Sequence, residues 1–338
     1  MAEASPRGVL LLGSVPLESA EEVFRTVGPV LGSYLRRMPD GETDERRHWV
    51  QAQLPVLLAQ PQCEAAPLDL ELRPVVPRVR LRAGTSPEAM RFDRLGYLPA
   101  AKASYALFSR LKREGVIPAR CRFQFGFPPP ASVVLTHVAR EHQAAVEPSY
   151  TAAFLAEVDA ICAAIPHEEL AIQWDVSREM AVWEGFYPAP YPDPRRGVIE
   201  RLAQVGERIP PAVELGYHLC YGDYQHRHWK QPEDMRRLVE VANALAQSVR
   251  RPIQWIHMPV PKERDDSAYF APLKNLKLRP ETRLFLGLVH PGDGIEGTRR
   301  RMAMAARFVK DFGIATECGF GRRPPETVPD LLRIHAEA

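Results

Sequence analysis

The chain has 338 residues, 25% of them charged, and its 44 basic and 42 acidic side chains leave a formal net charge of +2. That balance gives no electrostatic footprint for nucleic acid or an anionic membrane, so neither is expected as a partner. The length suffices for one large α/β domain with a sizeable core, and a barrel of roughly 250 residues plus extensions fits it.

The first apolar run, VLLLG at 9–13, follows Arg7. It is far shorter than the ~18 residues of a membrane span and lacks the full apolar region and cleavage site of a secretory leader, so it reads as a buried strand. Residues 40–120 are rich in charge, Pro and Arg, and are expected to form an irregular elaboration over one mouth of a single domain spanning 1–338. At its start, MPDGETDERRHW (38–49) crowds Asp40, Glu42, Asp44, Arg46 and Arg47 around an Asp-Gly turn. The segment is either a charged surface turn, as Asp-Gly favours, or a lid. In a lid, Glu42 would meet substrate, Arg46 or Arg47 would grip a carboxylate, and Trp49 would stack on a planar ligand.

Further along come RFQFGF (122–127), LAIQWD (170–175), AVELGYH (212–218), IQWIHM (253–258), RLFLGLV (283–289) and GIATEC (313–318), all short apolar runs suited to buried strands. Between them, residues 150–165, 195–206, 232–249 and 297–313 carry apolar side chains every three or four positions, the helical period. The 33 prolines fall in short bursts such as FPPPAS and YPAPYPDP, which mark loops and not one disordered tract. Alternating strands and helices predict an α/β fold with a parallel sheet. Seven strands, with an eighth hidden before residue 120, suit a barrel or an open doubly wound sheet. No Gly-x-Gly-x-x-Gly follows the first strand, so a dinucleotide fold has no specific support.

In a parallel barrel the C-terminal ends of the strands build the site. Here they carry ligand-type residues: Ser14, then Gln173 and Asp175 with Glu179 just beyond, then His218, Cys220 and Asp223, then His257, then His290 and Asp293, and finally Glu317 and Cys318. Five cysteines, odd in number and widely spaced, are no disulfide framework and point to a reducing, cytoplasmic setting. His218 and Cys220 are two apart, so an extended backbone turns both to one side. With Cys318 they would make a three-ligand zinc site with an open position, if the last strand closes beside the earlier ones. The alternative is that these cysteines are small buried hydrophobes.

GYHLCYGD, ATECGFGRRPPETVPDLL, LAIQWDVSRE, GSVP at 13–16 and RFQFGFPPPASV together resemble the cobalamin-independent methionine synthase family, in its C-terminal catalytic barrel and in stand-alone proteins of the UROD/MetE-like type. The resemblance implies a (β/α)8 TIM barrel with Zn2+ bound by His218, Cys220 and Cys318. The activity it implies is transfer of a methyl or similar alkyl group from a small-molecule donor, folate or non-folate, to a small-molecule thiol activated as a zinc thiolate. Where the family usually has a further Glu ligand this chain has His257, as a fourth ligand or a substrate contact. The resemblance implies that Asp175 holds a substrate amino group. Val176-Ser177 replaces the usual Glu-Pro, and Glu179 would compensate from the next loop. Ser14, Glu42 and Gln173 would be further substrate contacts. Asp223 would orient His218 or the substrate. His290 or Asp293 would act in proton transfer, although the Gly-Asp-Gly turn explains Asp293 by itself. The rival readings are a metal-free decarboxylase on the same barrel and a non-catalytic ligand-binding protein, because a barrel alone does not fix its chemistry.

Overall fold

The computed structural model describes residues 8–71, 75–222 and 228–338. Its strands are β1 (Arg37–Pro39), β2 (Cys63–Ala65), β3 (Val79–Leu81), β4 (Arg122–Phe127), β5 (Leu170–Val176), β6 (Glu214–Leu219), β7 (Trp255–Pro259), β8 (Arg283–Val289) and β9 (Phe312–Thr316). Seven of them form one parallel sheet in the order β1-β4-β5-β6-β7-β8-β9. Residues 9–14 fill the space between its two edges. Val9 bridges both Leu35 and Ile314, Ser14 bridges Gly41, and the Leu10 N–H donates to the Ile314 carbonyl at 3.0 Å. The sheet thus closes into an eight-staved α/β barrel, which removes its edges.

Six of the seven expected strands are regular ladders. The first, at 9–13, pairs only through isolated bridges. Its neighbour β1 is three residues long, and Gly13 breaks the extended run at φ +139°. β1 is the eighth strand that the apolar pattern leaves hidden, and Arg-Met-Pro is too short to show a period. The helices Gln143–Ala164, Pro194–Arg208, Arg236–Ser248 and Gly294–Ala305 cover the four predicted helical stretches.

The region 40–120 is more ordered than its composition suggests. It holds the β2–β3 antiparallel pair and a helix, Tyr97–Arg113, that packs between the helices Ala20–Leu31 and Gln143–Ala164. Its buried residues Tyr97, Ala101, Ser104, Phe108 and Leu111 recur every three or four positions. The Glu157 carboxylate accepts the N–H groups of Leu95, Gly96, Tyr97 and Leu98 at 2.5–3.2 Å, satisfying the orphan donors at its start. None of the described helices is long and apolar enough to cross a membrane.

The period of two along each strand sorts side chains into core and lumen. Trp255, Phe285, Ala171, Ala315, Leu10 and Leu12 fill the lumen as a separate apolar cluster. At its base Arg37 stacks on Trp255 at 4.0 Å and pairs with Glu214 at 2.6 Å. Above the apolar plug the inward positions turn polar, and there the site begins. Gly216 is the inward residue of β6 at the plug, and a Cβ on it would lie 1.9 Å from Cε2 of Trp255. Gly216→Ala is therefore expected to lower stability by about 1–3 kcal/mol through overpacking, read as a lower denaturation midpoint in urea.

Candidate active site

Register places the polar residues. In the parallel ladder Asp175 on β5 is the partner of His218 on β6, which is in turn the partner of His257 on β7. Three titratable side chains therefore stand abreast at the C-terminal end of the lumen. Cys220, two positions past His218, continues the same face, and its N–H is held by the Val176 carbonyl at 2.9 Å. On the far side β9 stops at Thr316, and the chain turns over a hydrogen bond from the Thr316 hydroxyl to the Cys318 carbonyl at 2.6 Å. That turn carries Cys318 to the His218–Cys220 edge. Ser14 ties the same turn to residues 9–14: its carbonyl accepts the Phe320 N–H at 2.7 Å and its Oγ the Gly321 N–H at 3.2 Å.

His218, Cys220 and Cys318 converge, with one potential ligand atom from each lying within 4.8 Å of the other two. The sulfurs are 3.7 Å apart, and Cys318 Sγ is 3.6 Å from His218 Nε2. A tetrahedral zinc with bonds of ~2.3 Å to sulfur and ~2.0 Å to nitrogen spaces two sulfurs by ~3.8 Å and sulfur from nitrogen by ~3.5 Å. The donor set therefore fits a zinc ion in chemistry and in these two separations.

The electrostatics separate Cys220 from the core cysteines. Burial pushes the thiols of Cys63 and Cys121 up, and that of Cys162 up to about 11, as for inert core cysteines. Cys220 is held well below the ordinary thiol range by its hydrogen bond with Cys318. Burial opposes that shift and His218 assists it. The Gly222 N–H adds a donor to its sulfur at 3.3 Å. His257 stands outside the cluster. Its Nδ1 faces His218 Nδ1 at 2.7 Å and its Nε2 faces the Thr316 carbonyl at 3.0 Å, so both ring nitrogens are engaged. Burial, with His218 beside it, holds the His257 imidazole neutral.

Beside the cluster lies a cavity of about 340 Å³, lined among others by Ser14, Glu42, Trp49, Asp175, His218 and Cys318. Its floor carries the Glu42 and Asp175 carboxylates. Glu42 has a left-handed backbone, φ +51°, and its Oε1 occupies the room left by two glycines. A Cβ on Gly13 would approach it to 2.4 Å and one on Gly126 to 3.0 Å. Burial, and then Asp175, push Glu42 well above the usual carboxylate range. Burial likewise raises Asp175 to about 7, against the pull of His218 and a hydrogen bond from Gln173. A cationic group entering the pocket would favour the charged form of both carboxylates.

The remaining sequence candidates fall elsewhere. Gln173 lies beneath the cavity. Its Nε2 donates to Asp175 Oδ1 at 2.9 Å and its Oε1 accepts from Trp255, so it orients Asp175 from below. Glu179 is buried behind the wall, accepting the Ser132 hydroxyl at 2.8 Å. Among the described residues, neither His290 nor Asp293 lines the cavity. His290 Nε2 donates to the Val260 carbonyl at 2.8 Å, and Asp293 is clamped by two nitrogens of Arg301 at 2.6 and 2.9 Å. Asp223 lies outside the described residues. Arg46 is turned inward onto Asp40 at 2.5 Å, leaving Arg47 and Trp49 to the cavity.

Three contributions were not legible in the sequence. Phe186 and Trp229 stack at 5.0 Å to form an aromatic wall. Arg178 lines the cavity while donating to Thr136 at 3.0 Å. His228 lines it with its Nε2 3.5 Å from Glu317. For His228 and Trp229 the aromatic and basic density of YGDYQHRHWK (221–230) is a sequence signal; it does not extend to Phe186 or Arg178.

No family model matches the chain, and no curated protein matches its sequence. Solved structures do match its shape. A B12-independent methionine synthase from Shewanella sp. W3-18-1, in complex with selenomethionine, aligns with a TM-score of 0.63 at 14% identity, covering 100% of this chain and 97% of that one. A methyltransferase from Methanosarcina mazei aligns at 0.54 and 12% identity, covering 100% and 95%. At such identities the likeness establishes the fold, an α/β barrel shared with these proteins.

Glu179 yields a stability test. Burial raises its carboxyl from an ordinary 4.5 to about 7. The folded state therefore binds more protons than the unfolded one in that window, and stability falls as pH rises through it. Glu179→Gln is expected to be more stable than wild type at pH 8 by an amount on the order of 3 kcal/mol at most. The difference should disappear at pH 4. Urea unfolding at the two pH values reads both arms.

Proposed function

We propose that this chain belongs to the cobalamin-independent methionine synthase family and transfers a methyl or similar alkyl group from a small-molecule donor to a thiol. The observation that carries this reading is the convergence of His218, Cys220 and Cys318 at zinc-like separations beside a cavity. The fold shared with a methionine synthase and a methyltransferase supports it. His218 Nε2 and the two sulfurs would hold the metal, leaving one position open toward the cavity. When bound there, zinc supplies the Lewis acidity that keeps a substrate sulfur deprotonated near neutral pH.

The chain's own residues do the rest. Asp175 and Glu42, with Gln173 below them, receive the ammonium group of an α-amino thiol and so fix the direction of its sulfur. A sulfur lone pair forms the new bond to the methyl carbon. The bond from that carbon to the donor breaks, its electron pair stays on the donor atom, and the donor takes up a proton. Orientation within the pocket lowers the barrier, because the methyl group must be approached in line. Trp49 and the Phe186–Trp229 stack present apolar surface for the donor and exclude water.

Protein purified without added metal is expected to hold close to one zinc per chain. His218→Ala, Cys220→Ser and Cys318→Ser should each lose it, by elemental analysis of folded protein. Full zinc content in all three variants would remove the ligand assignment. Asp175→Asn should weaken binding of an α-amino thiol such as homocysteine by roughly 10–100-fold, the worth of a charge-assisted hydrogen bond. It should leave 4-mercaptobutyrate, which lacks the amine, unaffected. Calorimetric titration of both thiols separates these outcomes.

A further inference from the structure

Resting on the zinc-site reading above, we infer that His257 is a positioning residue: it fixes the ring orientation and tautomer of His218 so that Nε2 is the nitrogen offered to the metal. The chain of hydrogen bonds has one consistent direction. The Thr316 carbonyl can only accept, so His257 Nε2 carries a hydrogen. With its hydrogen committed to Thr316 through Nε2, the imidazole of His257 has Nδ1 as its accepting nitrogen. The hydrogen in the 2.7 Å contact between the two Nδ1 atoms therefore belongs to His218. His218 Nδ1–H is thus committed to His257, which leaves Nε2, the atom facing Cys318, as the nitrogen offered to the metal.

The fold makes this relay rigid. His218 and His257 are register partners on adjacent strands, and His257 is fully buried. Its anchor, Thr316, is the last residue of β9, and the Thr316 hydroxyl also holds the turn that presents Cys318. One backbone residue thus orients one ligand through His257 and places another through its side chain. His257 does this with both nitrogens occupied. To bind metal itself it would have to give up one of these hydrogen bonds.

Partners of this kind typically affect metal affinity by 10–100-fold. The test compares His257→Phe, which removes both hydrogen bonds, with His257→Asn, whose Oδ1 can still accept from His218. Zinc affinity is measured by chelator competition. The His218 tautomer is read by ¹⁵N NMR of the metal-free protein. H257F should bind zinc about 10–100-fold more weakly and lose the fixed Nδ1–H signal, whereas H257N should restore both toward wild type. Unchanged affinity and tautomer in H257F would overturn the inference. If H257F does not fold, the wild-type spectrum decides: a neutral His218 protonated at Nε2 overturns the proposal and one protonated at Nδ1 supports it. Wild-type protein that takes up no zinc would instead overturn the parent reading, and the spectrum of the metal-free protein would still decide the role of His257.

Discussion

The parallel register of β5, β6 and β7 is the constraint on which the site depends. It sets Asp175, His218 and His257 side by side at the same height in the lumen. A slip of one residue in either ladder would turn a whole strand's inward set outward. Closure of the barrel is the second condition. Cys318 reaches Cys220 across 98 positions of sequence only because β9 is joined to residues 9–14, and these in turn to β1. An open sheet of the same strands would leave Cys318 at an edge, three strands away from Cys220.

The mouth of the barrel concentrates groups that burial disfavours. Two raised carboxylates, a pair of imidazoles in contact and two thiols share a small volume. Glu42 is held in a left-handed backbone conformation that non-glycine residues rarely adopt. The apolar plug below and the helices around the barrel stabilise the fold enough to keep this arrangement. Local conflict of this kind marks a functional site. The other three cysteines show the contrast, since burial makes their thiols harder to ionise.

Much of this was legible in the sequence, for identifiable reasons. Strands buried on both faces appear as apolar runs, so six of them stand out without an alignment. The two-residue spacing of His218 and Cys220 places them on one face from strand geometry alone. β1 was hidden by its brevity. The helix Tyr97–Arg113 was hidden because its buried stripe includes Ala101 and Ser104 within a charged, Pro-rich stretch. The setting of His257 depends on register between strands 39 residues apart in sequence, which no local pattern encodes. The Arg301 clamp on Asp293 spans two turns of the helix that Asp293 begins, and it supplies a structural role that the Gly-Asp-Gly turn only partly suggested.

The central claim is that one imidazole nitrogen and two sulfurs from this chain share a single soft metal ion, with one position open to a thiol. Zinc-edge X-ray absorption on the zinc-loaded protein tests it most directly. Two sulfurs and one imidazole nitrogen should appear around the metal, and a third sulfur should appear on adding an α-amino thiol. A shell of oxygen and nitrogen alone, or one that thiol leaves unchanged, would contradict the account.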